Sequence, residues 1–153
     1  MFAMALLGLA GGAGNAFAQT TTTVVASQNN PSFIGETVTL IATVSVTTAF
    51  VPGGTVEFFD GATPLGSSFV GTGSAIFTVS TLTLGSHSIT GVYSGDGNGN
   101  LGSTSAAITQ VVTLAPTTTV VTSSANPSTF GRTVTFTATV TNATGGKIGR
   151  AHV

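Results

Sequence analysis

The sequence predicts an all-β fold, an antiparallel β-sandwich of about seven short strands, and three observations carry that reading. Apolar residues alternate with polar ones at a period of two. The clearest case puts Val38, Leu40, Ala42, Val44 and Val46 on one face and Thr37, Thr39, Ile41, Thr43 and Ser45 on the other. Clusters of Gly, Pro, Asn and Asp interrupt the alternation at roughly the 8–12-residue spacing of sandwich turns. The composition is that of strands: charged residues are 5% of the chain, against about 25% in an average soluble domain. Thr and Ser together supply 45 of the 153 residues and carry the polar surface instead.

Taken in order, the expected strands are 21–26, 37–46, 54–59, 67–70, 74–80, 87–93 and 106–114. The turns between them are Asn30-Pro31, Pro52-Gly53-Gly54, Asp60-Gly61, Gly71-Thr72-Gly73, Leu84-Gly85 and Ser94-Gly95-Asp96-Gly97. Seven strands at this spacing make an immunoglobulin-like sandwich. A domain of this size buries only about 60–65% of its extended-chain surface. With no Cys in the chain, its core rests on Phe58, Phe77, Val79, Leu82, Ile89, Val44 and their neighbours. The same lack of Cys excludes a disulfide framework, a zinc-thiolate site and a thiol nucleophile.

Residues 21–45 repeat at 117–141 with an offset of 96, and 16 of those 25 positions are identical. A unit this long is a self-contained domain used in tandem, too long for a solenoid repeat. The expected organisation is therefore a complete domain at 20–114, a linker at 115–116 and a truncated second repeat at 117–147. The linker's Pro116 favours an extended, stiff joint.

The two ends read differently from the middle. Residues 1–14 are apolar and mostly small, and Ala16-Phe17-Ala18 before Gln19 is an A-x-A cleavage signature, so 1–18 reads as a secretory signal peptide. The apolar run is shorter than the ~20 residues a spanning helix needs. No Lys or Arg precedes Arg132, so the basic start of such a signal is expected upstream of Met1. The last six residues, Ile148-Gly149-Arg150-Ala151-His152-Val153, resemble the conceptual translation of a common sequencing adapter, and 148–153 is read as an artefact. Without it, and without Lys147, Arg132 is the one basic side chain against Glu36, Glu57, Asp60 and Asp96. Such a chain has no electrostatic footprint for nucleic acid and no polybasic membrane patch.

Two segments resemble a known family. Gly54-Thr55-Val56-Glu57-Phe58-Phe59-Asp60-Gly61, followed by Pro64-Leu65-Gly66, is similar to the G-T-V-x-F-x-D-G…x-L-G stretch of bacterial Ig-like repeats of the group-3 type. The segment from Leu84 to Asp96, LGSHSITGVYSGD, is similar to their L-x-x-G-x-H-x-I-x-A-x-Y-x-G-D stretch. One departure is Gly91, where the family usually carries Ala, and looser packing is expected there. The resemblance implies tandem modules of exported, often very large bacterial surface proteins, with no catalytic activity and no cofactor.

Several residues are candidates for chemistry. His87 as a general base would need a nucleophile and an orienting acid. Ser86 and Ser88 flank it in sequence and point to the opposite face of the strand. His87 instead stands where immunoglobulin sandwiches place the tyrosine of their corner motif, and a hydrogen bond to backbone near the turn is expected. Asp96, Asn98 and Asn100 place oxygens at alternate positions, as the opening of a calcium loop does. Calcium wants six to eight oxygens, and no carboxylate closes the loop, so a plain turn is the expectation. Glu57 and Asp60 are close in sequence, but the chain has one Tyr and no Trp with which to stack a sugar. The function these observations imply is a non-enzymatic structural or spacer module of a secreted or cell-surface protein. Its partners are then neighbouring Ig-like repeats. The alternative is an adhesion module recognising a glycan or a host protein through its loops.

Overall fold

The computed structural model describes residues 18–47, 52–142 and 147–152; the signal-peptide reading falls almost wholly outside these. Residues 18–114 form a two-sheet sandwich. Its strands are β1 (Thr21–Ser27), β2 (Ser32–Phe33), β3 (Val38–Val46), β4 (Thr55–Asp60) and β5 (Thr63–Phe69). They continue with β6 (Ser74–Val79), β7 (Gly85–Tyr93), β8 (Ser103–Thr104) and β9 (Ile108–Thr113). One sheet runs β1-β3-β6; the other runs β2-β9-β7-β4-β5, with β8 on β7. All pairings are antiparallel except β2 with β9.

The period-two pattern decides what lies between the sheets. In β3, Val38, Leu40, Ala42 and Val44 are buried while Thr43 and Ser45 face solvent. Facing them from the second sheet are Val56 and Phe58 of β4, Ile89 and Tyr93 of β7, and Val112 of β9. Leu82 and Val79 close the core, and Phe77 is half-buried against it, stacked on Phe58 with ring centroids 5.4 Å apart. The expected core residues are all found in this cluster or packed on it.

Seven of these strands are the expected ones, with boundaries shifted by one or two residues everywhere except at β5, where the shift is larger. β5 begins at Thr63, four residues before the expected start, because Gly61 takes a positive φ of 57° at the first position of a two-residue turn and pairing resumes at once. Pro64 is tolerated because β5 is an edge strand, and the register slips by a bulge at Phe58/Phe59. Gly66, at φ 148°, lies under the Phe77 ring, which a Cβ there would meet at 2.7 Å.

Gly91 corrects the expectation of looser packing. A Cβ at this position would come within 2.7 Å of a Val25 methyl and 3.2 Å of a Val56 methyl. The two β-branched side chains have closed over the position, so the space is filled from both sheets and not left empty.

The chain enters and leaves this sandwich at opposite ends. Gln19 is held by backbone bonds to Gly99 and Leu101, beside the end of β7, where Tyr93 pairs with Ser103. At the other end Val112 pairs with Gly85, the first residue of β7, and Thr113 accepts a bond from the Ile34 amide. The nine residues of β7 separate the two ends by about 30 Å.

Beyond Pro116 lies a separate sheet of β10 (Thr117–Ser123), β11 (Phe136–Asn142) and β12 (Lys147–His152), in that order. Thr117 pairs with Asn142 and Ser123 with Phe136, each 96 residues on from the Thr21–Val46 and Ser27–Leu40 pairs. Both turns after the first strand of each unit carry a cis peptide, Asn30-Pro31 and Asn126-Pro127. The third strand was not among the expected ones. Lys147–His152 takes the free edge of β11, the side on which β3 holds β6.

Candidate functional site

The polar residues of the two sequence segments meet at one end of the β4–β7 pair. Asp60 closes β4 opposite Ile89, and His87 lies two residues earlier on β7, buried on the core face. The His87 ring is 2.7 Å from the Asp60 carboxylate through Nδ1 and 2.8 Å from the Thr83 carbonyl through Nε2. Both partners are obligate acceptors, so both ring nitrogens must donate, and the geometry selects the imidazolium form. The hydrogen bond to Asp60, then the bond to Thr83, raise the His87 pKa above its ordinary value; burial works against them and the Asp60 charge adds to them. The second Asp60 oxygen accepts the Ser88 amide at 3.1 Å.

This arrangement meets the expected corner motif: the ring bonds backbone four residues upstream, as a corner tyrosine does. Asp60 as its second partner was not foreseen, although the D-G and H-x-I segments were both singled out. The cluster has the carboxylate–imidazole half of a catalytic triad but cannot complete it. Nε2, which would take the proton from a nucleophile, is occupied by the Thr83 carbonyl. Ser86 and Ser88 are exposed on the opposite face, and Glu57 is exposed.

At the far end of β7, Asp96 organises the Ser94–Asn100 loop. One carboxylate oxygen accepts the amides of Asn98 (2.9 Å) and Asn100 (3.3 Å); the other accepts the Asn100 side-chain amide (2.6 Å) and, at 3.5 Å, the Gly53 amide. The bonds from the Asn100 side chain and the Asn98 amide hold the Asp96 pKa below its ordinary value. The structure thus gathers Asp96 and Asn100 and leaves Asn98 to contribute its backbone only. The carboxylate oxygens face donors and not an open cavity. Among the described residues no group of three or more His, Asp or Glu side chains is placed to hold a metal ion. The glycines of the segment serve the same corner: Gly54, at φ 79°, lies so close to the Gly95 carbonyl that a Cβ could not fit.

A third polar cluster was not recognised from sequence. Gln110 is fully buried in β9. Its amide nitrogen donates to the Asn29 carbonyl, the Ser32 hydroxyl and the Val111 carbonyl, and its oxygen accepts from Ser27. Beside it, Asn30 donates to the Thr109 carbonyl and accepts the Val111 amide. The signal was available, since alternation puts Gln110 in register with the core positions Ile108 and Val112.

A cleft of about 580 Å³ opens between the two units, lined by Phe33, Ile34, Glu36, Leu114, Thr117 and Asn142. It is mostly apolar and brings no second titratable group to Glu36, whose carboxylate already accepts the Phe33 amide at 2.8 Å. No described helix is long and apolar enough to cross a membrane.

Comparison with known proteins gives two findings. The family model for the bacterial Ig-like domain (group 3) matches residues 23–113, from the third residue of β1 to the end of β9. Among solved structures, Clostridium thermocellum CbhA fibronectin(III)-like modules superpose with a TM-score of 0.46 at 17% identity, over 83% of this chain and 73% of that one. No curated protein matches the sequence.

Proposed function

The chain belongs to the bacterial Ig-like domain (group 3) family, and on that premise we propose that it is a non-enzymatic spacer module of an exported bacterial surface protein. The observation that carries the reading is the placing of the domain's two ends. The chain enters beside the Gly99–Leu101 loop and leaves beside Ile34, at opposite ends of β7. Units joined in this way add length with each copy instead of folding back on one another. The Asp60–His87–Thr83 and Gln110 clusters spend their polar atoms on backbone and on each other, which supports a structural use for the residues that first suggested chemistry. Neighbouring Ig-like repeats are the partners this reading assigns, and the segment ending in Ala16-Phe17-Ala18 is the export signal it assigns.

The test is expression in a bacterial host with a basic start restored before Met1. The protein should leave the cytoplasm and begin at Gln19; Met1 retained in a membrane pellet would remove the export assignment. Titration of the exported protein with a glycan panel should leave its melting temperature unchanged. A saturable, ligand-dependent rise would replace the spacer reading with an adhesion module, since a ligand at a hundredfold excess over Kd adds about 2.7 kcal/mol.

A further inference from the structure

The Ser94–Asn100 loop holds one side chain that the fold does not use. Asn98-Gly99 is the one Asn-Gly pair in the sequence. The other asparagines of the sandwich are committed by their side chains. Asn29 bonds the Thr37 carbonyl and the Thr39 amide, Asn30 bonds the Thr109 carbonyl and the Val111 amide, and Asn100 donates to Asp96. Asn98 is exposed, and among the described residues its side-chain amide has no partner. Its backbone is held nonetheless, since the amides of Asn98 and Asn100 both donate to one Asp96 oxygen. The Gly99 amide between them has no acceptor among the described residues, and Gly99 brings no Cβ to shield it. We infer that Asn98 is a spontaneous modification site, at which the Gly99 amide nitrogen closes on the Asn98 side chain and converts it to aspartate and isoaspartate.

The chemistry needs only water. The Gly99 nitrogen gives up its proton to solvent base and attacks Cγ of Asn98. The N–Cγ bond forms, the Cγ–Nδ2 bond breaks, and Nδ2 leaves as ammonia with a proton from solvent. Water then opens the succinimide ring at either carbonyl. Opening at Cγ gives aspartate; opening at the backbone carbonyl gives isoaspartate, with the chain rerouted through the side chain. The net change is one water taken up and one ammonia lost. Asn126 has no such route, because Pro127 lacks an N–H.

The consequence falls on the next residue. The Gly99 carbonyl accepts the Gln19 amide at 2.7 Å, and the Leu101 amide donates to the Gln19 carbonyl at 2.9 Å. The Thr21 hydroxyl adds a bond to the Leu101 carbonyl at 2.8 Å. An isoaspartate puts an extra methylene in the main chain immediately before Gly99, and either product sets a second carboxylate near Asp96, where like charges repel. The register with Gln19 is then lost, so the modification releases the chain's entry to the sandwich and leaves the far end untouched.

The test ages the full 153-residue chain in weakly acidic and weakly alkaline buffer and follows each asparagine by peptide mass spectrometry. Asn98 should gain the mass of an OH-for-NH2 exchange, faster at the higher pH, while Asn29, Asn30 and Asn100 stay intact in the same digest. Asn98→Gln, which must close a larger ring, should abolish the change. The same chain unfolded in guanidinium chloride serves as the clock. Asn98 still intact in the folded protein after the unfolded one has converted, or Asn100 converting first, would overturn the site. Amide hydrogen exchange reads the consequence. The Leu101 amide should lose its protection in the aged chain, whereas the Ser88 amide, held by Asp60 at the other end of β7, should keep it. Unchanged Leu101 protection in fully converted protein would overturn the release of the entry.

Discussion

His87 turns a hydrogen-bond geometry into a pH dependence. Its pKa is raised in the folded state, so the stabilisation is fully present below the unfolded value near 6.5 and is lost as pH rises through the folded value. The domain should therefore melt at a higher temperature at pH 6 than at pH 8.5, and His87→Gln should flatten that difference. Calorimetry of both proteins across the range checks it; identical pH profiles would mean that the imidazolium pairing is not made. Tyr93 tests the opposite case. Its hydroxyl is buried with no hydrogen-bond partner, and desolvation, helped by the Asp96 charge, raises its pKa. Leaving a buried hydroxyl unpaired costs about 1–3 kcal/mol, so Tyr93→Phe should hold or raise stability by about 1 kcal/mol in urea unfolding. A clear loss would show that the hydroxyl has a partner. The family motif carries both residues, but neither partner could be read along the strand, because pairing across β4 and β7 brings Asp60 to His87 and packing between sheets isolates the Tyr93 oxygen.

The strands were legible for a simple reason: a half-buried strand writes its two faces into alternate residues. Val38 to Val46 are the plainest instance, and Ile108, Gln110 and Val112 are the instructive one. There the alternation holds, but a Gln in a core register needs a partner set supplied by a distant turn, which the strand's own residues do not name. Gln110 joins β9 to the turn that holds the Asn30-Pro31 peptide, through Asn29, Ser32 and Ser27. Gln110→Ala should cost about 2–4 kcal/mol, since it opens a cavity and leaves several buried polar groups unpaired. Denaturant unfolding measures it, and a change below about 0.5 kcal/mol, the range of ordinary surface substitutions, would show that the cluster contributes little. β5 failed in the other direction: Pro64 and Gly66 look like loop residues, and only the edge position and the bulge explain why they pair. Gly91 read as a loss of packing because the sequence names the missing methyl group but not the Val25 and Val56 side chains that replace it.

Across the whole domain, the candidate chemistry and the fold use the same few polar residues. Asp60 and Asp96 sit where strands meet turns, His87 and Gln110 lie within β7 and β9, and each binds backbone donors or acceptors that the sandwich would otherwise leave unpaired. A charge-poor chain has few such residues, so those it has are committed to holding the two sheets and their connections. With the ends at opposite poles, tension along an array would load β1 and β9 along their length, in shear and not by peeling. Asn30 and the β2–β9 pair are the bonds placed to resist it. The most direct measurement is single-molecule extension of the full chain, held at Gln19 and Leu114. One cooperative rupture with a contour-length gain of about 300 Å is the predicted result. Gradual lengthening without a rupture, or a folded end-to-end distance far short of the sandwich length, would contradict the proposed spacer.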